Sequence, residues 1–500
     1  MIEAWSTQDV YAAEAALMET LAEGELMERA VEGLAGVVTA RLAEHGAGSV
    51  VARVGPGNNG ADALYAVARL AAEGHLTAAV HHDIVHEGAL AAARDAGVVL
   101  TTDALAVAEA DVVLDGVLGI GARPGLPDWA RAWVAAIPEG AHVIAVDLPS
   151  GQDPSGEVLD PDGVFADETV TFSVAKPVHL LAPTEQACGV LTVVDIGLTL
   201  SGSPAVRRLD HDDVAALWPV PGPDDDKYSR GVVGIIAGGE SYTGAALLSV
   251  TAAVSSGAGM VRYVGPPTPT SLVRAAVPEA VHGAGRVQAW VLGPGLDAES
   301  TGPDAAAQLE AARAALASDV PVLVDAGGLD LLDLHVLESR AGRPTLLTPH
   351  AGELARLLTR LAGDESTKRS VPHAGEVTRE DVERAPLRHA RALAAATGAT
   401  VLLKGSTTIV LGPDADSVVW SQADAPPWLA TAGAGDVLAG LLGVLLAAGL
   451  PPDEAGALGA LVHGVSAHRA NPGGPVRALD VAHGIPGTVA ALLRRARTSS

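Results

Sequence analysis

Short apolar runs alternate with alanine-rich helical stretches along almost the whole chain, and most runs close on an aspartate or a glycine-bearing turn. This alternation most constrains the fold. Strand–helix–strand repetition demands crossover connections, and those produce parallel sheets wound with helices on both faces. In the first half the runs predict strands at 50–54, 77–81, 98–100, 112–115, 143–147, 168–172 and 191–195. Helices are expected between most of them, for example at 61–73 and 88–96. A proline- and acid-rich stretch, WPVPGPDDDK, interrupts the pattern near 209–227. The alternation then restarts, with strands expected at 232–237, 260–264, 289–292, 320–325, 345–347, 400–403, 408–411 and 417–420. Two α/β domains are expected, over 1–210 and 226–500, with 211–225 as linker. The polar stretch 363–386 reads as a mobile surface insertion.

Composition narrows the class. Aromatic residues make up only 3% of the 500 residues while 48% are apolar, so the cores must be built from Ala, Val and Leu. The formal charge of −28 disfavours a general nucleic-acid binder, yet leaves room for a small phosphorylated ligand held by local amides. Cys188 stands alone, which excludes an internal disulfide and suits a reducing, cytoplasmic setting. As a catalytic thiol it is weak; a small buried or turn residue is expected. The N-terminus carries no signal-peptide pattern. The longest apolar stretch, 437–450, is too short to span a bilayer and is expected to be a buried helix.

Three loops of the first half carry polar chemistry at strand ends, where open α/β sheets bind ligands. VGPGNNGAD ends on Asn58, Asn59, Gly60, Ala61 and Asp62. A plain strand–helix turn would not require two asparagines and an acid. LDGVLGIGARPG places Asp115 before Gly119, Ile120, Gly121, Ala122, Arg123, Pro124 and Gly125; AVDLPSGQD holds Asp147 and Ser150. The oxygens of Asn59, Asp115 and Ser150 suit a hard cation rather than zinc. In the second half, GAGD at 433–436 precedes an apolar helix. Amides at a helix N-terminus attract phosphate oxygens, and Asp436 would take a hydroxyl proton beside a transferring phosphoryl group. An ordinary N-capping aspartate is the plain alternative. His350 in TPHAGE and Lys404 in KGSTT are each equally compatible with a structural or solvent-facing role.

Together, LMERA, GPGNNGAD, DGVLGIGARPG, VDLPSG and TVTFSVAKP resemble the epimerase domain of the NAD(P)H-hydrate repair enzymes over about 1–210. GGESYTGAA, GPGL, DAGGLD, TPHAGE, KGSTT and GAGDVLAG resemble their ADP-dependent dehydratase domain, which is ribokinase-like, over about 225–495. The resemblance implies a Rossmann-like doubly wound N-terminal domain and a ribokinase-like C-terminal one. It implies hydrated-dinucleotide contacts at 58–62, 119–125 and Asp147, and a potassium ion on Asn59, Asp115 and Ser150. For the second domain it implies substrate contacts at Ala245, Gly295, His350 and Asp436, and ADP contacts at Lys404, Gly405, Ser406, Thr407, Thr408 and Gly435, with magnesium on the diphosphate. Asp436 would be the base of the dehydration. Asp147 is the chosen acid/base of the epimerisation, with Lys176, one of only four lysines, as a second candidate. The family reads NNGGDG where this chain reads NNGADA. Alanine at 61 or 63 costs stability if the backbone needs positive φ, and helps if the helix has begun. A homo-oligomer is expected, with no nucleic-acid or membrane partner. Two other readings stay open: a ribokinase-like vitamin or sugar kinase, and a first domain that only binds.

Overall fold

The computed structural model describes residues 1–46, 48–103, 109–363 and 376–498. They divide into two compact units, Glu3–Val206 and Met1–Ile2 with Arg207–Ser500.

After a short strand β1 (Ile2–Ala4), the N-terminal unit opens with two helices, Thr7–Met18 and Glu25–His45. Seven strands follow: β2 (Ser49–Val54), β3 (Leu76–His81), β4 (Val99–Thr101), β5 (Val112–Gly116), β6 (His142–Val146), β7 (Glu168–Phe172) and β8 (Val190–Val194). They pair in the order β4-β3-β2-β5-β6-β7-β8, every pair parallel. Winding reverses between β2 and β5, so the crevice beyond their C-terminal ends is the place for a ligand. The central strands β2, β5, β6 and β7 are buried on both faces. Small residues make this possible: Ala52, Ala79 and Ala145 are fully buried, and so are Ala61, Ala63 and Ala66 of the helix Asn58–Ala72 laid across them.

The C-terminal unit is built on β9 (Val206–Arg208), β10 (Val232–Ile236), β11 (Met260–Val264), β12 (Val281–His282), β13 (Ala289–Leu292), β14 (Val322–Val324), β15 (Thr345–Leu347), β16 (Thr400–Leu403), β17 (Thr408–Leu411) and β18 (Val419–Gln422). From β18 the order runs β18-β17-β16-β15-β14-β13-β10-β11-β12. The pairs from β16 to β12 are parallel, and β16-β17-β18 are antiparallel. The expected apolar helix is Ala434–Ala447, buried along nearly all its length against the helix Thr243–Ser255. Among the described residues no helix is long and apolar enough to cross a membrane.

Around the proline-rich break, Val214–Leu217 is helical, and Leu209, Val214 and Trp218 join the C-terminal core. In the polar stretch 363–386, Arg379–Arg384 is a helix; residues 364–375 lie outside the described ones. Thr378 starts that helix by accepting a hydrogen bond from the Asp381 amide, while the Asp381 carboxylate accepts one from the Thr378 amide. This reciprocal cap gives structure to a segment whose composition alone suggested none.

Candidate active sites

In the N-terminal unit, the crevice at the β2–β5 switch is a cavity of about 1330 Å³. Its wall includes Asn58, Asn59, Asp62, Gly119, Ile120, Gly121, Ala122 and Asp147. Gly60 and Ala61 lie under it, in the first turn of the helix, and Arg123, Pro124 and Gly125 stand outside it. Gly60 is small for a reason: a Cβ there would come within 2.1 Å of the Gly55 carbonyl oxygen. Ala61 and Ala63 are helical and buried, and neither has positive φ. Alanine therefore supports this helix rather than straining it.

Asp147 follows β6 with φ of 69°, an uncommon backbone state for a side-chain-bearing residue. Its Oδ1 accepts from Lys176 Nζ at 2.6 Å and from Thr171 Oγ1 at 2.8 Å. Its carbonyl oxygen lies 2.8 Å from His179 Nε2. Lys176 is 1% exposed, so the surface-lysine alternative does not hold. Burial works against the Asp147 charge, but Lys176, His179 and Thr171 together hold its carboxyl below the usual range. Two other carboxyls on the same wall behave oppositely. Burial, then the charges of Asp147 and Glu14, push Asp62 up to about 8. Burial and Asp147 also raise Glu14, with Lys176 opposing. Three carboxyls of this wall thus differ: Asp147 is shifted toward its charged form, and Asp62 and Glu14 toward their neutral forms.

Asp115 and Ser150 lie behind the cavity wall. The Ser150 amide and Oγ donate to Asp115 at 2.7 and 2.6 Å, and Ser150 Oγ accepts from the Leu118 amide. Burial lifts Asp115 to about 6, against those hydrogen bonds. The Asn59 amide donates to the carbonyl oxygens of Val146 at 2.5 Å and Leu118 at 3.3 Å. Several hard oxygens and one buried carboxylate, with no cationic partner among the described residues, fit a hard cation.

In the C-terminal unit, the loops after β14, β15 and β16 meet the GAGD turn. Gly433 caps the helix Ala434–Ala447 in the left-handed region, φ 90°, so Asp436 falls in the first turn and is not the N-cap. Lys404 Nζ lies 2.6 Å from Asp325 Oδ1 and 3.7 Å from Glu353 Oε2. A Cβ on Gly435 would stand 3.5 Å from Lys404 Nζ and 3.9 Å from Asp325 Oδ2, which locates the turn over this pair. Burial disfavours the Lys404 charge, yet Asp325, Glu353 and Asp436 hold its pKa above the ordinary lysine value. Burial and Asp325 push Asp436 up to about 7, with Lys404 opposing and Glu353 adding.

His350 caps the helix Ala351–Ala362, accepting through Nδ1 from the Gly352 and Glu353 amides. It is also bridged to Lys404 along the backbone. Burial lowers its pKa, Glu353 opposes, and Lys404, Arg356 and Arg379 lower it further. Ala245 and Gly295 meet at the start of the helix Thr243–Ser255: a Cβ on Gly295 would lie 2.7 Å from Ala245 Cβ. One turn on, Ser249 Oγ donates to the Asp436 carbonyl oxygen. Gly405 and Ser406 are exposed, Thr407 is buried, and Thr408 opens β17. Sequence reasoning missed Asp325, Glu353 and Thr348, whose Oγ1 donates to Asp325 at 2.9 Å. Their signal was the acid closing DAGGLD's strand and the glutamate of TPHAGE, each at a strand end or in a helix's first turn.

Comparison with known proteins bears on both units. Residues 233–481 match the family model described as NAD(P)H-hydrate dehydratase, and 23–178 match that of the YjeF-related protein N-terminus. The chain is similar to the bifunctional NAD(P)H-hydrate repair enzyme Nnr of Mycobacterium leprae, 42% identical over 92% of each chain. It is 43% identical to that of Mycobacterium tuberculosis over 91% of each, and 34% identical to that of Corynebacterium glutamicum over 89% of this chain and 87% of the other. Among solved structures, an ADP/ATP-dependent NAD(P)H-hydrate dehydratase from Bacillus subtilis covers 57% of this chain and 99% of its own, with a TM-score of 0.46 and 22% identity.

Proposed function

The chain belongs to the bifunctional NAD(P)H-hydrate repair enzymes, and on that premise we propose that each unit carries one of the two reactions. The N-terminal unit interconverts the R and S hydrates of NADH and NADPH at C6. The C-terminal unit dehydrates the S hydrate, using ADP and leaving AMP and phosphate. Both act in the cytoplasm.

The observation that carries this reading is the meeting of Asp436, the GAGD turn and the Lys404–Asp325 pair at one set of strand ends. A C6 hydroxyl is a poor leaving group. Asp436, with a pKa raised to about 7, is tuned to take its proton as the oxygen attacks the β-phosphorus of ADP. The bond from that phosphorus to the bridging oxygen breaks and AMP departs. The phosphate ester then leaves C6 with its bonding pair, helped by the ring nitrogen. Loss of a C5 proton restores the double bond. Lys404 and the amides about Gly435 would face the nucleotide phosphates. His350, Ala245 and Gly295 would face the hydrated ring, and Gly405, Ser406, Thr407 and Thr408 the rest of the nucleotide. Among the described residues no cluster of three acidic or imidazole groups is assembled for a divalent ion. Magnesium would therefore enter on the diphosphate, whose charge it neutralises.

In the N-terminal unit, Asp147 is the proton-transferring group and Lys176 keeps it ionised. Asn59, Asp115 and Ser150 would hold potassium, which supplies countercharge to the buried carboxylate.

The test supplies mixed R and S hydrates with ADP and follows both reduced-nicotinamide absorbance and AMP. Wild type should consume both epimers. Asp436→Asn should abolish recovery of absorbance, by a factor of about 100 or more, while R and S still interconvert. A stable phosphorylated product, with no return of absorbance, would instead identify a kinase.

A further inference from the structure

Along the helix Asn58–Ala72, the residues that face the N-terminal cavity include Asn58, Asp62, Tyr65 and Arg69. Steps of four, three and four residues keep them on one helical face. The stripe changes chemistry along its length. At the end near Asp147 it offers an amide and a carboxyl; at the other it offers a phenol and a guanidinium. With a rise of about 1.5 Å per residue, Arg69 stands about 10 Å along the axis from Asp62.

Arg69 is the only arginine or lysine on the described cavity wall, which also carries Glu14, Glu23 and Glu28 besides Asp62 and Asp147. A dinucleotide brings at least two phosphate charges into this acidic surround. Its phosphates gain most beside the one guanidinium, whose planar fork matches phosphate oxygens. Arg69 is half-exposed and engaged only in two long ion pairs among the described residues. Its nearest carboxylates, Glu32 and Glu73, lie at 3.7 Å, beyond hydrogen-bonding distance, and neither lines the cavity. They hold the guanidinium loosely from outside. His86 stands beside Tyr65, with ring centroids 5.9 Å apart, and its Nδ1 already accepts from the Ala89 amide.

We propose that Arg69 anchors a phosphate of the dinucleotide in the N-terminal site, with the hydrated ring at the Asp147 end of the helix stripe. This rests on the epimerase reading of that unit. The phosphate is either the pyrophosphate, common to both hydrates, or the 2′-phosphate of the NADPH hydrate. Arg69 is in the second case a residue that sets preference between them.

The experiment uses the full chain without ADP and follows R-to-S conversion of each hydrate by chromatography. Arg69→Ala should raise KM about tenfold or more and leave kcat within about twofold, since it removes a charge-assisted contact made equally in the ground and transition states. Arg69→Lys should recover part of the loss. A rise for both hydrates assigns the pyrophosphate, and a rise for the NADPH hydrate alone assigns the 2′-phosphate. Unchanged KM for both, or a fall in kcat with KM unchanged, overturns the anchor. Circular dichroism and the thermal melting curve of each variant, compared with wild type, serve as the folding control. A second readout does not need turnover: phenylglyoxal modification of Arg69 in the wild-type chain, scored by peptide mass spectrometry. NADPH hydrate should slow it about fivefold or more. An unaltered modification rate overturns the anchor whether or not the hydrate is epimerised, whereas protection without conversion would fault the epimerase reading alone.

Discussion

Asp147 is a buried carboxyl at a strand end and Asp436 a half-buried one in a helix's first turn, and their neighbours send them in opposite directions. At Asp147 a lysine 2.6 Å away, with His179 and Thr171, outweighs burial. At Asp436, Asp325 stands between it and full compensation by Lys404, and burial wins. A base with a pKa of about 7 loses activity as pH falls, so kcat/KM for dehydration should drop about tenfold per pH unit below 7. The same shift has a sign for stability. The folded pKa lies above the unfolded one, so ionising Asp436 costs stability as pH rises from about 4 through 7. Asp436→Asn should therefore melt higher than wild type above pH 7 and nearly level with it near pH 4. Paired pH–rate profiles and melting curves check both halves. A flat rate profile between pH 5 and 8, in these rough bounds, would remove Asp436 as the base. The carboxyls themselves were legible at strand ends in the sequence. Their pairings were not: Lys176 lies 29 residues from Asp147, and Asp325 lies 79 from Lys404. Only the parallel crossovers bring such positions together.

The elements show a similar division. Strands β7, β13, β15, β16 and β17 fall where their β-branched and leucine runs place them, because both faces are buried and nothing interrupts the run. The helix Thr7–Met18 hides from such reasoning: it buries only Val10, so its apolar period is faint. Yet it brings Tyr11 and Glu14 to the cavity wall. The helix Glu25–His45 does carry a legible stripe, with Val31, Leu34, Ala35, Val38 and Leu42 buried. The helix Asn58–Ala72 is where sequence left a real choice, between strain and support at Ala61 and Ala63. Fully buried helical alanine decides it. Ala63→Gly, which restores the family's glycine, should cost about 1 kcal/mol through helix propensity and leave epimerisation within about twofold. Denaturant unfolding of the N-terminal unit measures the first, and R-hydrate conversion the second. A gain of tenfold or so in activity would mean that the loop needs conformational freedom that this helix start denies.

At the scale of the whole molecule, each site takes all its named residues from one compact unit. The epimerase wall runs from Tyr11 to Ile196, within Glu3–Val206, and the dehydratase groups run from Ala245 to Asp436, within the other unit. On the proposed assignment each unit works as its own catalyst. On that assignment the S hydrate made by one unit reaches the other by diffusion, and while free it is equally available to another molecule. Loss of either site should accordingly be complemented in trans. Pure R hydrate with ADP should give little reduced nicotinamide with Asp147→Asn alone, beyond the spontaneous epimerisation, and none with Asp436→Asn alone. An equimolar mixture should restore about half or more of the wild-type rate at saturating substrate, since each reaction retains half its active sites and the steps are linked only by a diffusing intermediate. The rate of the mixture should rise as R hydrate is replaced by S, until the Asp147→Asn protein alone suffices. Recovery far below half would mean that the S hydrate passes between the sites of one chain without release, a coupling that two self-sufficient sites do not require.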